Sequence, residues 1–195
     1  MFLKSIGIKK LSLHLVRNKN GIGFNRITLN QLLQSFDLLI DEMIKEIEEN
    51  DYSLVYMLKE TILMETIFNI SNHLIQEKRC TWGDNVIIDE KNDVYRCLYL
   101  IGNENEKVNN YFDGFSEEQI RDDILVDKCE PCNTCWAKYL CGGTCYYNSL
   151  IKNKNKMIAD EIECEYRKAL IQKSLRLFVV LKEKDLIKSV ISLLK

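Results

Sequence analysis

Five of the eight cysteines in this 195-residue chain crowd into one stretch, CEPCNTCWAKYLCGGTCYYN, which runs from Cys129 to Asn148. Cys80 and Cys97 lie upstream of it and Cys164 downstream. Random placement does not produce such crowding. A chain confined to a reducing compartment keeps its thiols out of structural disulfides and available to metals. The first question is therefore which compartment the rest of the sequence implies.

The longest uninterrupted apolar run, Leu177 to Leu181, is far below the roughly 20 residues that span a bilayer. The opening residues Met-Phe-Leu-Lys-Ser turn polar too soon for a signal peptide. A cytoplasmic location is expected, without membrane association. The 27 basic and 29 acidic residues nearly cancel, so no positive field draws in nucleic acid. A hydrophobic content of 46% supports one sizeable domain or two small ones. With a single proline and eight glycines, any two parts are expected to join directly.

Residues 6–16 alternate, with Leu11, Leu13 and Leu15 on one side and Lys10, Ser12 and His14 on the other, which predicts a strand. A turn-rich stretch, Asn18 to Asn25, follows. Thr28 is the expected cap of a helix in which Leu29, Leu32, Leu33, Phe36, Leu39, Ile40, Met43, Ile44 and Ile47 recur at helical spacing. A second helix, about 52–74, is apolar on more than one side and is expected to lie between layers. Runs 86–88 and 94–99 predict a β-hairpin. A short helix capped by Ser116 is expected over 116–126, and two more helices over 157–181 and 185–194.

Clusters and metal ions need thiolates at close range, and a C-x2-C step lets one tight loop supply two of them. Gly142 and Gly143 allow a sharp turn between Cys141 and Cys145. Eight thiols match two four-iron clusters. They also match two tetrahedral zinc sites, so the number alone does not decide.

The spacing is more informative. From Cys132 the order is C-x2-C-x5-C-x3-C, through Cys135, Cys141 and Cys145, followed after a gap by Cys164. This resembles the signature of the SPASM domain, the auxiliary iron–sulfur module of radical S-adenosylmethionine enzymes that modify peptides. In that signature, C-x9–15-G-x4-C precedes the C-x2-C-x5-C-x3-C core. The resemblance covers about residues 80–170, and the Cys-Gly-Gly-x-Cys step agrees with it. The expected glycine five positions before Cys97 is Asn92, the next residue best able to take a left-handed turn, so the hairpin should survive. A further upstream cysteine found in sulfatase-maturating relatives has no counterpart here, and Cys129 is the candidate stand-in. The stretch Cys-Trp-Ala-Lys-Tyr-Leu-Cys-Gly-Gly is also similar, more weakly, to maturases of thioether-bonded and cysteine-rich peptides.

The resemblance implies two 4Fe-4S clusters. One is held by Cys132, Cys135, Cys141 and Cys164, and the other by Cys80, Cys97 and Cys145, with the fourth position taken by Cys129 or left open for substrate. The expected fold class is α+β: the last β/α part of a partial radical SAM barrel over 1–78, a SPASM-like domain over 79–170 with a β-hairpin and cysteine-rich loops, and a C-terminal helical extension over 171–195. The family's catalytic C-x3-C-x2-C loop is absent from the sequence. The chain thus reads as the C-terminal portion of a maturase from a split or truncated gene, inactive alone and assigned no catalytic residue. S-adenosylmethionine would enter only through a separate N-terminal barrel half. The implied substrate is a ribosomally made peptide or protein, cysteine-rich peptides included, which the clusters bind or from which they take electrons. The alternatives are a stand-alone iron–sulfur electron carrier and a structural zinc module. His14 and His73 read as structural, and Trp136, Tyr139, Tyr146 and Tyr147 as aromatics that roof the clusters.

Overall fold

In the computed structural model, residues 2–18, 21–22, 25–80, 84–120 and 124–195 are described. After a short helix α1 (Phe2–Ser5), residues 8–16 run without regular secondary structure. Their side chains do alternate between half-buried Leu11, Leu13 and Leu15 and exposed neighbours. The expected strand over 6–16 is nonetheless not formed, because no neighbouring strand pairs with it among the described residues. Instead the leucines lie on a helical layer, and the Leu11 amide donates to the Met57 carbonyl at 2.8 Å. Two-residue strands β1 (Arg17–Asn18) and β2 (Gly21–Ile22) pair antiparallel. The remainder of the turn-rich stretch expected over 18–25 lies outside the described residues, apart from Asn25.

Helix α2 (Arg26–Glu48) begins at Asn25 rather than Thr28. The Asn25 Oδ1 accepts from the Thr28 amide at 2.9 Å and from its hydroxyl at 3.1 Å. Thr28 is therefore the residue served by the cap. At the other end Asn50 takes a left-handed φ of 61°, and the Asp51 amide donates back to the Glu46 carbonyl at 2.8 Å, which closes the helix. The single helix expected over 52–74 is divided into α3 (Ser53–Met57) and α4 (Ile62–Ser71). The break lies at 58–61, where the Thr61 amide and hydroxyl both donate to the Leu58 carbonyl. A turn there lets Leu54, Val55 and Met57 share one core with Ile62, Leu63, Met64 and Ile67, which one straight helix would spread around its circumference.

Next comes a three-stranded antiparallel sheet, β3 (Ile87–Ile88), β4 (Asp93–Tyr95) and β5 (Lys107–Asn110), in that order. The expected hairpin is its β3–β4 pair, and Asn92 takes the left-handed conformation there, φ 63°. Strand β5 carries no alternation that marks it. It is held through Asp93, whose carboxylate meets Lys107 Nζ at 2.8 Å and Asn110 Nδ2 at 3.0 Å. Of the helix expected over 116–126, residues 121–123 lie outside the described residues; the described part is α5 (Glu117–Ile120), where Ser116 and Gln119 cap each other reciprocally.

Two short helices follow inside the cysteine-rich stretch, α6 (Lys138–Cys141) and α7 (Tyr146–Asn153). Helix α8 (Glu161–Glu183) starts where the Asp160 carboxylate accepts from the Glu163 amide, and α9 (Ile187–Leu194) closes the chain. The boundary expected at residue 170 falls inside α8. Its stripe of Tyr166, Leu170, Ile171, Ser174, Leu177 and Leu181 packs with α2, α3, α4 and α9 into one core. Helices α2 and α8 run parallel, since Arg26 meets Glu165, Asp37 meets Lys173, Asp41 meets Arg176 and Glu48 meets Lys184 in the same order along both. Exposed ion pairs contribute about 0–1 kcal/mol each, so they set register while the apolar stripe holds the helices together. No described helix is long and apolar enough to cross a membrane.

Candidate functional site

A second, smaller core of Leu100, Ile124, Val126, Cys129, Cys132 and Tyr146 lies beside the helical one, with Cys80 and Cys97 packed against it. Cys135 and Cys141 instead pack against the helical core. Six of the eight cysteines therefore lie in or against these cores, at the seam between them. None of the eight is in a disulfide.

Backbone hydrogen bonds draw three distant segments into this seam. The Gln76 amide donates to the Tyr139 carbonyl at 2.8 Å, and the Val126 amide to Glu77 at 2.9 Å, which sets the segment leading to Cys80 beside α6. Glu130 exchanges backbone bonds with Met157 and Ala159, at 2.8 and 2.7 Å, tying the Cys129–Cys132 turn to the lead-in of α8. Cys164 then sits in the first turn of α8, where its amide donates to Asp160. Cys132 opens a 3-10 turn closed by the Cys135 amide at 2.9 Å. Cys141 ends α6, and Cys145 is the residue at the start of α7. Gly142 and Gly143, with φ of 68° and 92°, make the turn between them.

Electrostatics group the thiols further. Burial pushes the Cys132 thiol up to about 12, and the nearby Cys129, Cys141, Cys164 and Cys135 push in the same direction. Burial likewise raises Cys141 and Cys164, and each of these feels Cys135 as well. Cys129, Cys135, Cys141 and Cys164 thus all lie near Cys132. Cys129 is raised by burial. Thiols in this condition are neutral at ordinary pH and poor nucleophiles, so a cation that takes up their negative charge is what would ionise them. Among the described residues no group of three or more His, Cys, Asp or Glu side chains is placed to hold a metal ion. The chemistry of the donor set still fits thiolate-bound metals, because its members are thiols at least partly withdrawn from solvent and none is consumed by a disulfide.

Several polar residues that the sequence did not single out complete the seam. Glu163 is buried and accepts from the Cys145 amide at 3.2 Å and from Asn148 Nδ2 at 2.7 Å. Arg167, one turn along α8, donates to the same Glu163 Oε1 through Nε at 2.9 Å and Nη2 at 2.7 Å. The spacing of Glu163 and Arg167 on either side of Cys164 was the available signal, though the same i,i+4 pattern is common on exposed helix faces. Arg79 pairs with Glu65 at 2.5 Å, just before Cys80. Arg79, Glu163 and Arg167 line a small cavity of about 50 Å³ with Leu13, His14, Asn148 and Tyr166. Of the aromatics expected to roof the cysteines, Tyr146 is buried and donates its hydroxyl to the Ile124 carbonyl at 2.6 Å. Tyr147 packs against the smaller core and Tyr99. Trp136 and Tyr139 are exposed instead, the latter bonded to Asp127, so they leave that face open.

Fold and site together define a mostly helical α+β chain with a thiol-rich seam between two cores. A scan against protein-family models finds no match for it, and neither does a search of the curated proteins.

Proposed function

We propose that the chain is an auxiliary iron–sulfur module of the SPASM type, part of a radical S-adenosylmethionine peptide-modifying enzyme. The observation that carries the reading is the gathering of Cys129, Cys132, Cys135, Cys141 and Cys164, four of them the ligands the resemblance implies for one cluster, into one neighbourhood free of disulfides, with the Cys129–Cys132 turn tied by backbone bonds to the lead-in of α8. The placement of Cys80 and Cys97 against the smaller core with Cys129 supports a second centre, to which Cys145 is the remaining contributor. Bound 4Fe-4S clusters would supply one-electron transfer and a binding point for a peptide substrate. The chain's own residues would furnish the thiolates, exclude water through Tyr146, Val126 and Ala137, and leave the Trp136 side accessible. The C-x3-C-x2-C loop that would bind S-adenosylmethionine is not in these 195 residues, so the reading assigns cofactor cleavage to a separate barrel-bearing partner.

The test is metal and sulfide analysis of anaerobically purified protein. About eight irons and eight acid-labile sulfides per chain, with a brown colour, are expected for two clusters. Zinc without sulfide would replace this reading with a structural zinc module. Reversible redox chemistry that no barrel-bearing partner affects would replace it with a stand-alone electron carrier.

A further inference from the structure

Glu163 Oε1 joins the Cys145 backbone to the Arg167 guanidinium, at 3.2 Å on one side and 2.7 and 2.9 Å on the other. The Arg167 side chain is only 13% exposed, which is unusual for a cation and places its field in a medium of low polarity. Helix α6, which ends in Cys141, packs on α8 beside it. We infer that Arg167, held by Glu163 against the backbone of Cys145, is a positioning residue that sets the reduction potential of the iron–sulfur centre to which Cys145 contributes.

The inference rests on the iron–sulfur reading above and deepens it. Reduction adds one electron from an external low-potential donor, and no bond forms or breaks. The reduced centre is one charge more negative, so a nearby fixed cation favours it. The other charged groups facing the loop and its neighbours are Glu163, whose negative charge Arg167 offsets, Glu65, already paired with Arg79, and Lys168 and Glu165 near Cys164. Arg167 is distinguished from the other cations by burial and by its attachment, through one oxygen, to the backbone of a ligand.

The experiment is a redox titration, followed by electron paramagnetic resonance, of the wild type, Arg167→Gln and Arg167→Lys, each assayed for iron and sulfide. In Arg167→Gln the ratio of reduced to oxidised centre at the wild-type midpoint should fall about tenfold, a shift of about 59 mV to more negative potential. Arg167→Lys keeps the charge and should stay within about threefold of the wild type. A full cluster complement with no shift in Arg167→Gln overturns the inference alone. So does a shift in Arg167→Lys as large as in Arg167→Gln, since the role would then be one of shape. If Arg167→Gln fails to retain iron, Arg167→Lys decides: iron and wild-type potential support the inference, and anything else overturns it. A wild type without sulfide overturns the iron–sulfur reading itself, and this inference with it.

Discussion

Gly142 lies directly against the backbone of Arg79: a Cβ added to Gly142 would stand 3.0 Å from the Arg79 nitrogen and from the Lys78 carbonyl carbon. Contacts that close are tighter than nine in ten that real Cβ atoms make, so the Arg79 backbone would have to give way by a few tenths of an ångström. This approach brings the segment ending in Cys80 alongside the turn between Cys141 and Cys145. Gly142 is thus required twice, once for its left-handed φ of 68° and once for space.

Gly142→Ala should therefore cost more than the left-handed conformation alone, which is worth about 1–2 kcal/mol. Gly102 provides the comparison, since it has φ of 81° with nothing near its missing Cβ. Urea denaturation of the two alanine variants should show Gly142→Ala to be the less stable by at least about 1 kcal/mol. Equal losses would mean that the Arg79 segment moves aside without cost.

Iron analysis of cysteine variants separates ligand roles. Cys135→Ala removes one of the four ligands the resemblance implies for one cluster and should lose that whole cluster, about half of the bound iron. Cys129→Ala should keep both clusters if the fourth position of the second is open. An equal loss in the two variants would make Cys129 a ligand.

Glu163→Gln should be strongly destabilising. It leaves the buried Arg167 guanidinium without its carboxylate and weakens the acceptor shared by Cys145 and Asn148, a loss of about 3 kcal/mol or more. Glu165→Gln, two residues on, touches only the exposed pair with Arg26 and should change stability by less than about 1 kcal/mol. Similar midpoints for the two variants in denaturant would show that the Glu163 network contributes no more than a surface pair.

The sheet should weaken in acid through Asp93. Bonds from Lys107 and then Asn110 hold its carboxyl below the usual carboxylate range. A carboxyl lowered on folding adds stability above its unfolded value, about 3.9, and that stability fades as pH falls through the folded value. The difference between wild type and Asp93→Asn should accordingly be full at pH 6 and vanish as the pH drops well below 3.9. Thermal denaturation across this range, with a difference that persisted undiminished in acid, would remove Asp93 as the cause.

The pattern of residues by itself determined the features that depend on neighbours a few positions away. Helices α2 and α8 follow from apolar side chains at helical spacing, the β3–β4 hairpin from the turn capacity of Asn92, and the sharp bend at Gly142 and Gly143 from their lack of a Cβ. The crowding of Cys129, Cys132, Cys135, Cys141 and Cys145 was also legible, because all five share one short stretch. Tertiary structure decided what depends on distant partners. Residues 8–16 alternate as a strand would, yet strand pairing needs a second backbone, and helices took that place. The chain breaks between α3 and α4 because two segments must face one core, a demand no local period records. Strand β5 exists because Asp93 reaches Lys107 and Asn110. Glu163 and Arg167 look like an ordinary surface pair in the sequence, and only the packing of α8 against the cysteine loop buries them and turns the pair toward Cys145.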